Sequence, residues 1–278
     1  MNRLTTTLTL RLLPSLRLLP HLILTLSCVV AAGAEVSTDR PAMVAPDDVN
    51  CARLKSTRVM RPGAPVNCSQ LQIVRFSYIG FDDRLHNDGE VMVMAAVAPE
   101  VRTIFSLLLA RRFPLAGAHL MNSYLGDDDA SMADNNTSAF NYRPITGGGA
   151  PSLHAYGLAI DINPLQNPYL LRSGNGRVDV SPAAGKAYVA RLPLRPGMVD
   201  DQVVQIFAAH GFPIWGGDWR KPIDYQHFQV SRKTAEHLAK LGLKEGRTYF
   251  ENSIQAYQSC LVRNRKMSES KRFCTLAE

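Results

Sequence analysis

The chain has 278 residues, of which 46% are hydrophobic, 20% charged and 8% aromatic, and its formal net charge is +7. This length and apolar content are enough for one domain, or one domain with extensions, and they exclude a generally disordered protein. No run of Lys and Arg is interleaved with aromatic residues, so the composition argues against a nucleic-acid-binding protein.

The first 34 residues differ from the rest. They hold three arginines, no acidic residue, and a mostly apolar run over 22–34 that is short for a bilayer span. The run ends in an Ala-Gly-Ala triplet, which suits signal-peptidase cleavage before Glu35. We predict a signal peptide over 1–34, whose removal would lower the formal charge to +4 and leave no stable membrane span. A retained amphipathic anchor and lipidation at Cys28 are the alternatives.

Export would leave four cysteines, which allow three pairings. We predict that Cys51 pairs with Cys68 and that Cys260 pairs with Cys274, because each pair closes a short loop at low entropy cost. A zinc ribbon is the rival interpretation, but no C-x-x-C spacing is present. The two bridges would staple terminal segments that lack a strong core pattern.

The expected organisation is a signal peptide over 1–34, a disulfide-linked extension over 35–70, a main domain over 71–243 and a disulfide-linked polar tail over 244–278. Periodicity and turn residues predict the elements of the main domain in chain order. They are a strand at 71–79, a turn at 87–89, a strand at 90–97, a helix at 101–113 after Pro99, a strand at 115–124, a polar loop at 126–149, a strand at 158–162, a short helix at 182–190, a helix at 200–210, a strand that includes His227, and a helix capped by Ser231. Since the helices do not alternate strictly with strands, we predict an α+β fold with an antiparallel sheet backed by helices.

The polar loop carries three consecutive aspartates, Asp127 to Asp129. A long loop inside a compact domain is usually functional or disordered. We interpret this one as a substrate-side loop that brings Arg143 toward the site, and the aspartates as turn and capping residues. A second metal site is the alternative for the aspartates, although no EF-hand spacing follows them.

Two short stretches carry the residue types of a catalytic metal site. The first holds His154 and Asp161, and the second holds Asp224 and His227. A turn at Gly157 would let His154 and Asp161 point to one place although they are seven residues apart. Two imidazoles and one carboxylate would bind one zinc ion, and the spare carboxylate of Asp224 would take a proton from the attacking water. Ordinary structural roles, as a strand-end or turn carboxylate, are the alternative for both aspartates.

The paired pattern Ser152-x-His154-x-x-Gly157-x-Ala159-x-Asp161 and Asp224-x-x-His227-Phe228 resembles the signature of the zinc D-alanyl-D-alanine carboxypeptidases. This family includes VanY, the VanX dipeptidases and certain L-alanyl-D-glutamate endopeptidases of phage and bacilli. The resemblance extends from about residue 71 to about residue 241.

The resemblance implies a fold shared with the hedgehog signalling domain, and it implies the same three zinc ligands and the same catalytic base. The base is often Glu in the family, and here it is Asp224. The family serine two positions before the first histidine contacts substrate, which corresponds to Ser152. An upstream arginine steadies the substrate carbonyl, and Arg143 is the best candidate.

The resemblance therefore implies a monomeric zinc peptidase, secreted, periplasmic or associated with the cell wall, that acts on peptidoglycan stem peptides. Carboxypeptidase action on terminal D-Ala-D-Ala is the first expectation, and endopeptidase action between L-Ala and D-Glu is the second. The alternative from another class is a non-catalytic, zinc-containing domain that binds the cell wall. Asp224 discriminates between the peptidase and the non-catalytic domain. A structural zinc ion needs no carboxylate beside its ligands to act as a base, whereas a catalytic one does.

Overall fold

The computed structural model describes residues 43–45, 47–145, 148–174, 176–266 and 270–276. The predicted signal peptide and Cys28 lie outside them. The helices are α1 (Asp48–Ser56), α2 (Ala98–Ala110), α3 (Asp128–Ala133), α4 (Asp201–Ala209), α5 (Arg232–Leu238), α6 (Leu243–Arg263) and α7 (Ser270–Leu276). The strands are β1 (Met43–Val44), β2 (Leu71–Ile79), β3 (Leu85–Met94), β4 (Ala159–Asp161), β5 (Tyr169–Arg172), β6 (Val178–Ser181), β7 (Ile214–Trp215), β8 (Ile223–Asp224) and β9 (His227–Gln229).

The strands of the described residues form three small sheets. Their orders are β1-β2-β3, β4-β9-β7 and β6-β5-β8, and every pairing is antiparallel. The α+β class and the antiparallel pairing predicted from the sequence are confirmed. The difference is that the strands are divided among three sheets rather than gathered in one.

The main core lies between α2 and the β2–β3 pair. Helix α2 buries Val101, Ile104, Phe105 and Leu108, which follow one another at helical spacing on a single face. The ring of Phe105 stacks on Phe76 of β2, with ring centroids 3.7 Å apart. The predicted helix is therefore confirmed, and it begins at Ala98 because proline is tolerated in the first turn.

The turn predicted at 87–89 is wrong, because these residues lie inside β3. The chain reverses earlier, where the N–H of Gly80 donates a hydrogen bond to the carbonyl of Arg84 and Asp83 adopts a φ of 60°. Gly89 is paired with Phe76 in the ladder, and a side chain at that position would collide with the Phe76 ring. This glycine therefore permits close packing rather than a turn.

The strand predicted at 115–124 is also wrong. Side-chain amides take the backbone hydrogen bonds that a neighbouring strand would otherwise provide. The side-chain amide of Asn136 accepts a hydrogen bond from the N–H of His119 and donates one to the carbonyl of His119. The side-chain oxygen of Asn163 accepts a hydrogen bond from the N–H of Ala116. The segment ends in a short 3₁₀ helix at Met121–Tyr124.

The polar loop predicted at 126–149 contains α3. The side chain of Asp127 caps this helix by accepting a hydrogen bond from the N–H of Ala130. Asp128 and Asp129 follow in the first turn, where negative charge favours the helix dipole. The capping interpretation of the aspartates therefore agrees with the structure.

The segment predicted as a polar tail is largely helical. Helix α6 buries Phe250, Ile254 and Tyr257 on one face at helical spacing. The prediction of a polar tail is wrong here, because a segment that is polar on average can still carry one apolar face. The Cys260–Cys274 pair joins α6 to α7, and the Cys51–Cys68 pair also lies at disulfide distance, in agreement with the predicted pairing. Within the described ranges, none of the helices has the length and apolar character needed to cross a membrane.

Candidate metal centre

The first motif folds as a tight turn that leads into β4. The Oγ of Ser152 accepts a hydrogen bond from the N–H of His154, and residues 153–156 form one 3₁₀ turn. Gly157 ends this turn with a φ of 66°, and a Cβ there would lie 2.6 Å from the backbone nitrogen of Met94. Only glycine fits both demands, so the turn that separates His154 from Asp161 depends on it.

The second motif is joined to the first by strand pairing. Strands β4 and β9 are antiparallel, and their register places Asp161 directly opposite His227. Phe228, the next residue of β9, is fully buried and stacks on Phe207 of α4 with ring centroids 3.9 Å apart. This packing fixes the register, because a slip of one residue would exchange the core side chain with the site side chain.

The structure brings together the three residues predicted as metal ligands. Nε2 of His154 lies 3.1 Å from Oδ2 of Asp161, and Nδ1 of His227 lies 2.9 Å from Oδ1 of the same carboxylate. The two imidazole nitrogens are 3.2 Å apart. All three residues are buried, and among the described residues they form the one cluster whose ligand atoms could hold a metal ion.

The other nitrogen of each imidazole has a partner that fixes its tautomer. Nδ1 of His154 lies 2.6 Å from the carbonyl oxygen of Ala139, and Nε2 of His227 lies 2.8 Å from Oε1 of Gln229. If both nitrogens donate to these oxygens, the remaining lone pairs face Asp161. This arrangement is typical of metal-binding histidines. The donor set therefore fits a zinc ion, since two imidazole nitrogens and one carboxylate are ligands that zinc takes in catalytic sites.

Ala139 and Gln229 were missed in the sequence analysis. Gln229 is two residues after His227, so alternation along a strand places both side chains on one face. That signal was available in the sequence. The sequence gives no signal for the contact with Ala139. That contact is made by a backbone carbonyl, which every residue has, and it joins two segments that meet only in the folded chain.

The charges in this cluster depend on one another. Burial by itself raises the pKa of Asp161, but the charges and hydrogen bonds of His154 and His227 outweigh burial and hold the pKa well below its usual range. Burial lowers the pKa of His227, and the hydrogen bond and charge of Asp161 more than compensate, so that the net pKa is raised. The carboxylate is therefore ionised, and without a metal ion it favours a proton on the imidazole.

Asp224 lies beside the cluster without belonging to it. It is 9% exposed, and its Oδ1 is buried without a hydrogen-bond partner among the described residues. Burial raises its pKa to about 7, and the negative charge of Asp161 adds to this, while His227 and Arg143 act in the opposite direction. A hydrogen bond from the Gln226 side chain also lowers this pKa. A buried carboxyl group whose net pKa is near neutrality is suited to accept and release a proton.

Arg143 and Ser152 lie on neighbouring segments at the same site. The carbonyl of Arg143 accepts the N–H of Ser152 at 2.9 Å, and the Arg143 guanidinium forms an ion pair of 3.0 Å with Asp128. Within the described residues, Nε of Arg143 is buried and has no hydrogen-bond partner. The charge of Arg143 also lowers the pKa of Asp224, so the guanidinium is near enough to act on the site.

A buried His–Asp–His group beside a spare carboxyl group defines a candidate metallohydrolase. Residues 146–230 match the model of the D-alanyl-D-alanine carboxypeptidase family, and the match includes both motifs from Ser152 to His227. The resemblance to this family is confirmed over that segment, and it supports a peptidase. No curated protein and no solved structure matches the chain.

Proposed function

We propose that the chain is a zinc peptidase that hydrolyses stem peptides of the bacterial cell wall, with carboxypeptidase action on terminal D-Ala-D-Ala as its reaction. One observation carries the proposal. Nε2 of His154, Nδ1 of His227 and the carboxylate of Asp161 converge at a buried site. They do so inside the segment that matches the D-alanyl-D-alanine carboxypeptidase family.

His154, Asp161 and His227 would hold the zinc ion. When bound, the ion would supply Lewis-acid polarisation of the scissile carbonyl and of a water molecule. The carbonyl of Ala139 and the amide of Gln229 would keep both imidazoles in the tautomer that leaves a lone pair for the metal.

Asp224 would act as the general base and then as the general acid. In its ionised form it accepts the proton of the attacking water, and it gives that proton to the leaving amine when the peptide bond breaks. Its unpartnered Oδ1 is free to take this proton. Burial keeps the pKa near 7, so both protonation states are accessible near neutral pH.

Arg143 and Ser152 would position the peptide. The buried Nε of Arg143 can donate a hydrogen bond to a substrate carbonyl oxygen, and its positive charge favours the negative charge that develops there. The hydroxyl of Ser152 is held by the N–H of His154 beside the first ligand, and its own hydrogen remains free to donate.

We also propose the location and the remaining organisation expected from the sequence. Residues 1–34 would direct export, and the Cys51–Cys68 and Cys260–Cys274 pairs are typical of an oxidising compartment. The extension, the main domain over 71–243 and the tail would act as one monomer with a hedgehog-like main domain. The substrate would be peptidoglycan outside the cytoplasm.

The test is digestion of purified wall peptides, with the products weighed by mass spectrometry. We expect loss of a single terminal alanine, abolition of this product by a chelator, and recovery when zinc is returned. Cleavage between L-Ala and D-Glu would instead assign the endopeptidase reaction. Peptide binding without any cleavage by the zinc-loaded protein would contradict the enzyme and favour a wall-binding domain.

A further inference from the structure

The metal ligands and the proposed base lie on different sheets. Asp161 and His227 belong to the β4-β9-β7 sheet, whereas Asp224 belongs to β8, which pairs with β5 in the β6-β5-β8 sheet. Strand β8 is only two residues long. Between Asp224 and His227 the chain has only Tyr225 and Gln226 to connect the two sheets. The position of the Asp224 carboxyl group relative to the ligands therefore depends on what holds this short connection.

Tyr225 is held by contacts from both sheets and from a third segment. Its N–H donates to the carbonyl of Pro168, just before β5, at 3.4 Å, and its carbonyl accepts from Nε1 of Trp215, on β7, at 2.9 Å. The guanidinium of Arg191 lies over the Tyr225 ring, with Cζ 4.4 Å from the ring centroid. This is a cation–π contact. Arg191 therefore holds the side chain of the residue that directly follows the proposed base.

The same guanidinium is fixed by hydrogen bonds to the segment that follows Asp161. Its Nη atoms donate to three oxygens, which are the carbonyls of Gln166 and Val199 and Oδ1 of Asn167. Nδ2 of Asn167 in turn donates to the carbonyl of Ile162 at 3.0 Å, and Ile162 is the residue after Asp161. Arg191 thus joins the chain that follows a metal ligand to the residue that follows the base.

The contacts of Arg191 require an arginine. The residue is half-buried and forms no ion pair with any carboxylate that the structure describes. Burial lowers its pKa to about 10, and the charge of Arg195 adds to this, while Tyr225 acts in the opposite direction. The group therefore stays charged at neutral pH. Desolvating a cation is unfavourable, and only a planar group with several donors can satisfy three oxygens and an aromatic face together.

We propose that Arg191 is a positioning residue, which sets the place of the Asp224 carboxyl group by holding Tyr225. The effect on catalysis rests on the proposed peptidase function, in which Asp224 moves the proton. The pairing of β4 with β9 and the buried ring of Phe228 hold Asp161 and His227 independently of this contact. Because a displacement of about 1 Å near a reacting group can cost about 10²-fold in rate, loss of the contact should lower turnover without releasing the metal.

Kinetics of Arg191→Gln in the full-length protein test the effect on turnover. We expect kcat to fall about tenfold, KM to change by less than about twofold, and zinc to remain near one ion per chain. Arg191→Lys keeps the charge but not the planar fork, so its kcat should fall only about threefold. The matched control is Arg195→Gln, which removes a similar contact in the same segment, where Cζ of Arg195 lies 3.8 Å from the ring centroid of Tyr188. This control should keep native kcat.

A second substitution tests whether Arg191 acts through Tyr225. Tyr225→Leu removes the other partner of the contact and should lower kcat by about the same factor. The variant Arg191→Gln/Tyr225→Leu should fall no further, because residues that share one contact are not additive. Losses that multiply in the double variant would contradict action through Tyr225. Should Arg191→Gln not fold, Tyr225→Leu and Arg191→Lys carry the same comparison with the control.

An NMR measurement tests the contact without any substrate. The protein has two tryptophans, and the indole N–H of Trp215 donates to the carbonyl of Tyr225. Loosening of Tyr225 should expose this N–H, so its exchange with D2O should be about tenfold faster in Arg191→Gln and native in Arg195→Gln. Faster exchange together with no cleavage by the native protein would support the contact and contradict the peptidase. Native exchange in Arg191→Gln, or equal kcat in Arg191→Gln and Arg195→Gln, would overturn the proposal.

Discussion

Asp161 and His227 face each other across the β4–β9 pair, and Oδ1 of Asp161 lies 2.9 Å from Nδ1 of His227. This relationship joins two motifs that are 66 residues apart in the chain. His154 reaches the same carboxylate from a turn rather than from a strand, through its other oxygen. The Asp161 carboxylate therefore contacts both imidazoles, and its negative charge makes the His154–Asp161–His227 group suitable for binding a cation.

We expect His154→Ala to lose the metal. The substitution removes one of three ligands, so bound zinc should fall from about one ion per chain to near zero while the circular dichroism spectrum stays native. His237→Ala is the matched control, because His237 is exposed on α5 and contacts the ring of Tyr249 instead. Metal analysis by mass spectrometry checks both. Full occupancy in His154→Ala would remove this residue from the ligand set.

Asp224→Asn should separate catalysis from metal binding. The amide keeps the shape of the side chain but cannot take a proton, so we expect kcat to fall by about 10²- to 10⁴-fold with zinc content unchanged. Asp201→Asn, at an exposed position in the first turn of α4, should keep native activity. Steady-state kinetics and metal analysis on the same preparations give the result. Native turnover in Asp224→Asn would show that another group is the base.

Zinc affinity should fall as the pH is lowered. The pKa of His227 is raised in the metal-free protein, so a proton occupies the imidazole at a pH where an ordinary histidine is neutral. Zinc must displace this proton, and the affinity should decrease about tenfold per pH unit below that pKa. Competition with a chromogenic chelator at several pH values measures the effect. An affinity that is constant between about pH 5 and pH 7 would contradict the proton competition.

Gly157→Ala should destabilise the protein. The new Cβ would lie 2.6 Å from the Met94 backbone nitrogen, and the φ of 66° is unfavourable for alanine. We expect a loss of about 2–4 kcal/mol and a fall in Tm of about 5–10 °C. Gly174→Ala is the control, since nothing lies within 4 Å of its added Cβ and no positive φ is recorded there. Thermal unfolding compares the two, and equal Tm values would refute the steric argument.

Several features could be predicted from the sequence because their causes are local. Ser231 and Asp200 cap their helices through their own side chains, as their position before an apolar helical pattern indicates. Strand β2 has the predicted bounds of 71–79. The apolar stripe of α6 is equally local, although the polar residues around it make the segment polar on average.

Other features depend on partners that are distant in the chain. The segment at 115–124 has the composition of a strand, but the side chains of Asn136 and Asn163 hold its backbone groups. Gly89 resembles a turn residue, yet it lies in a ladder because the ring of Phe76 occupies the space of its missing side chain. The conformation of both segments depends on which groups meet after folding, and a local sequence pattern does not predict those contacts.

The sequence by itself determined the chemistry of the site, since the types and order of its histidines and aspartates already indicated a metal and a base. Only the tertiary structure decided which atoms meet: both oxygens of Asp161 with one nitrogen from each imidazole, and Asp224 left buried beside them. The reason is physical. Residue type fixes what a side chain can donate or accept, whereas strand register and burial fix the distances and pKa values that give those groups their roles.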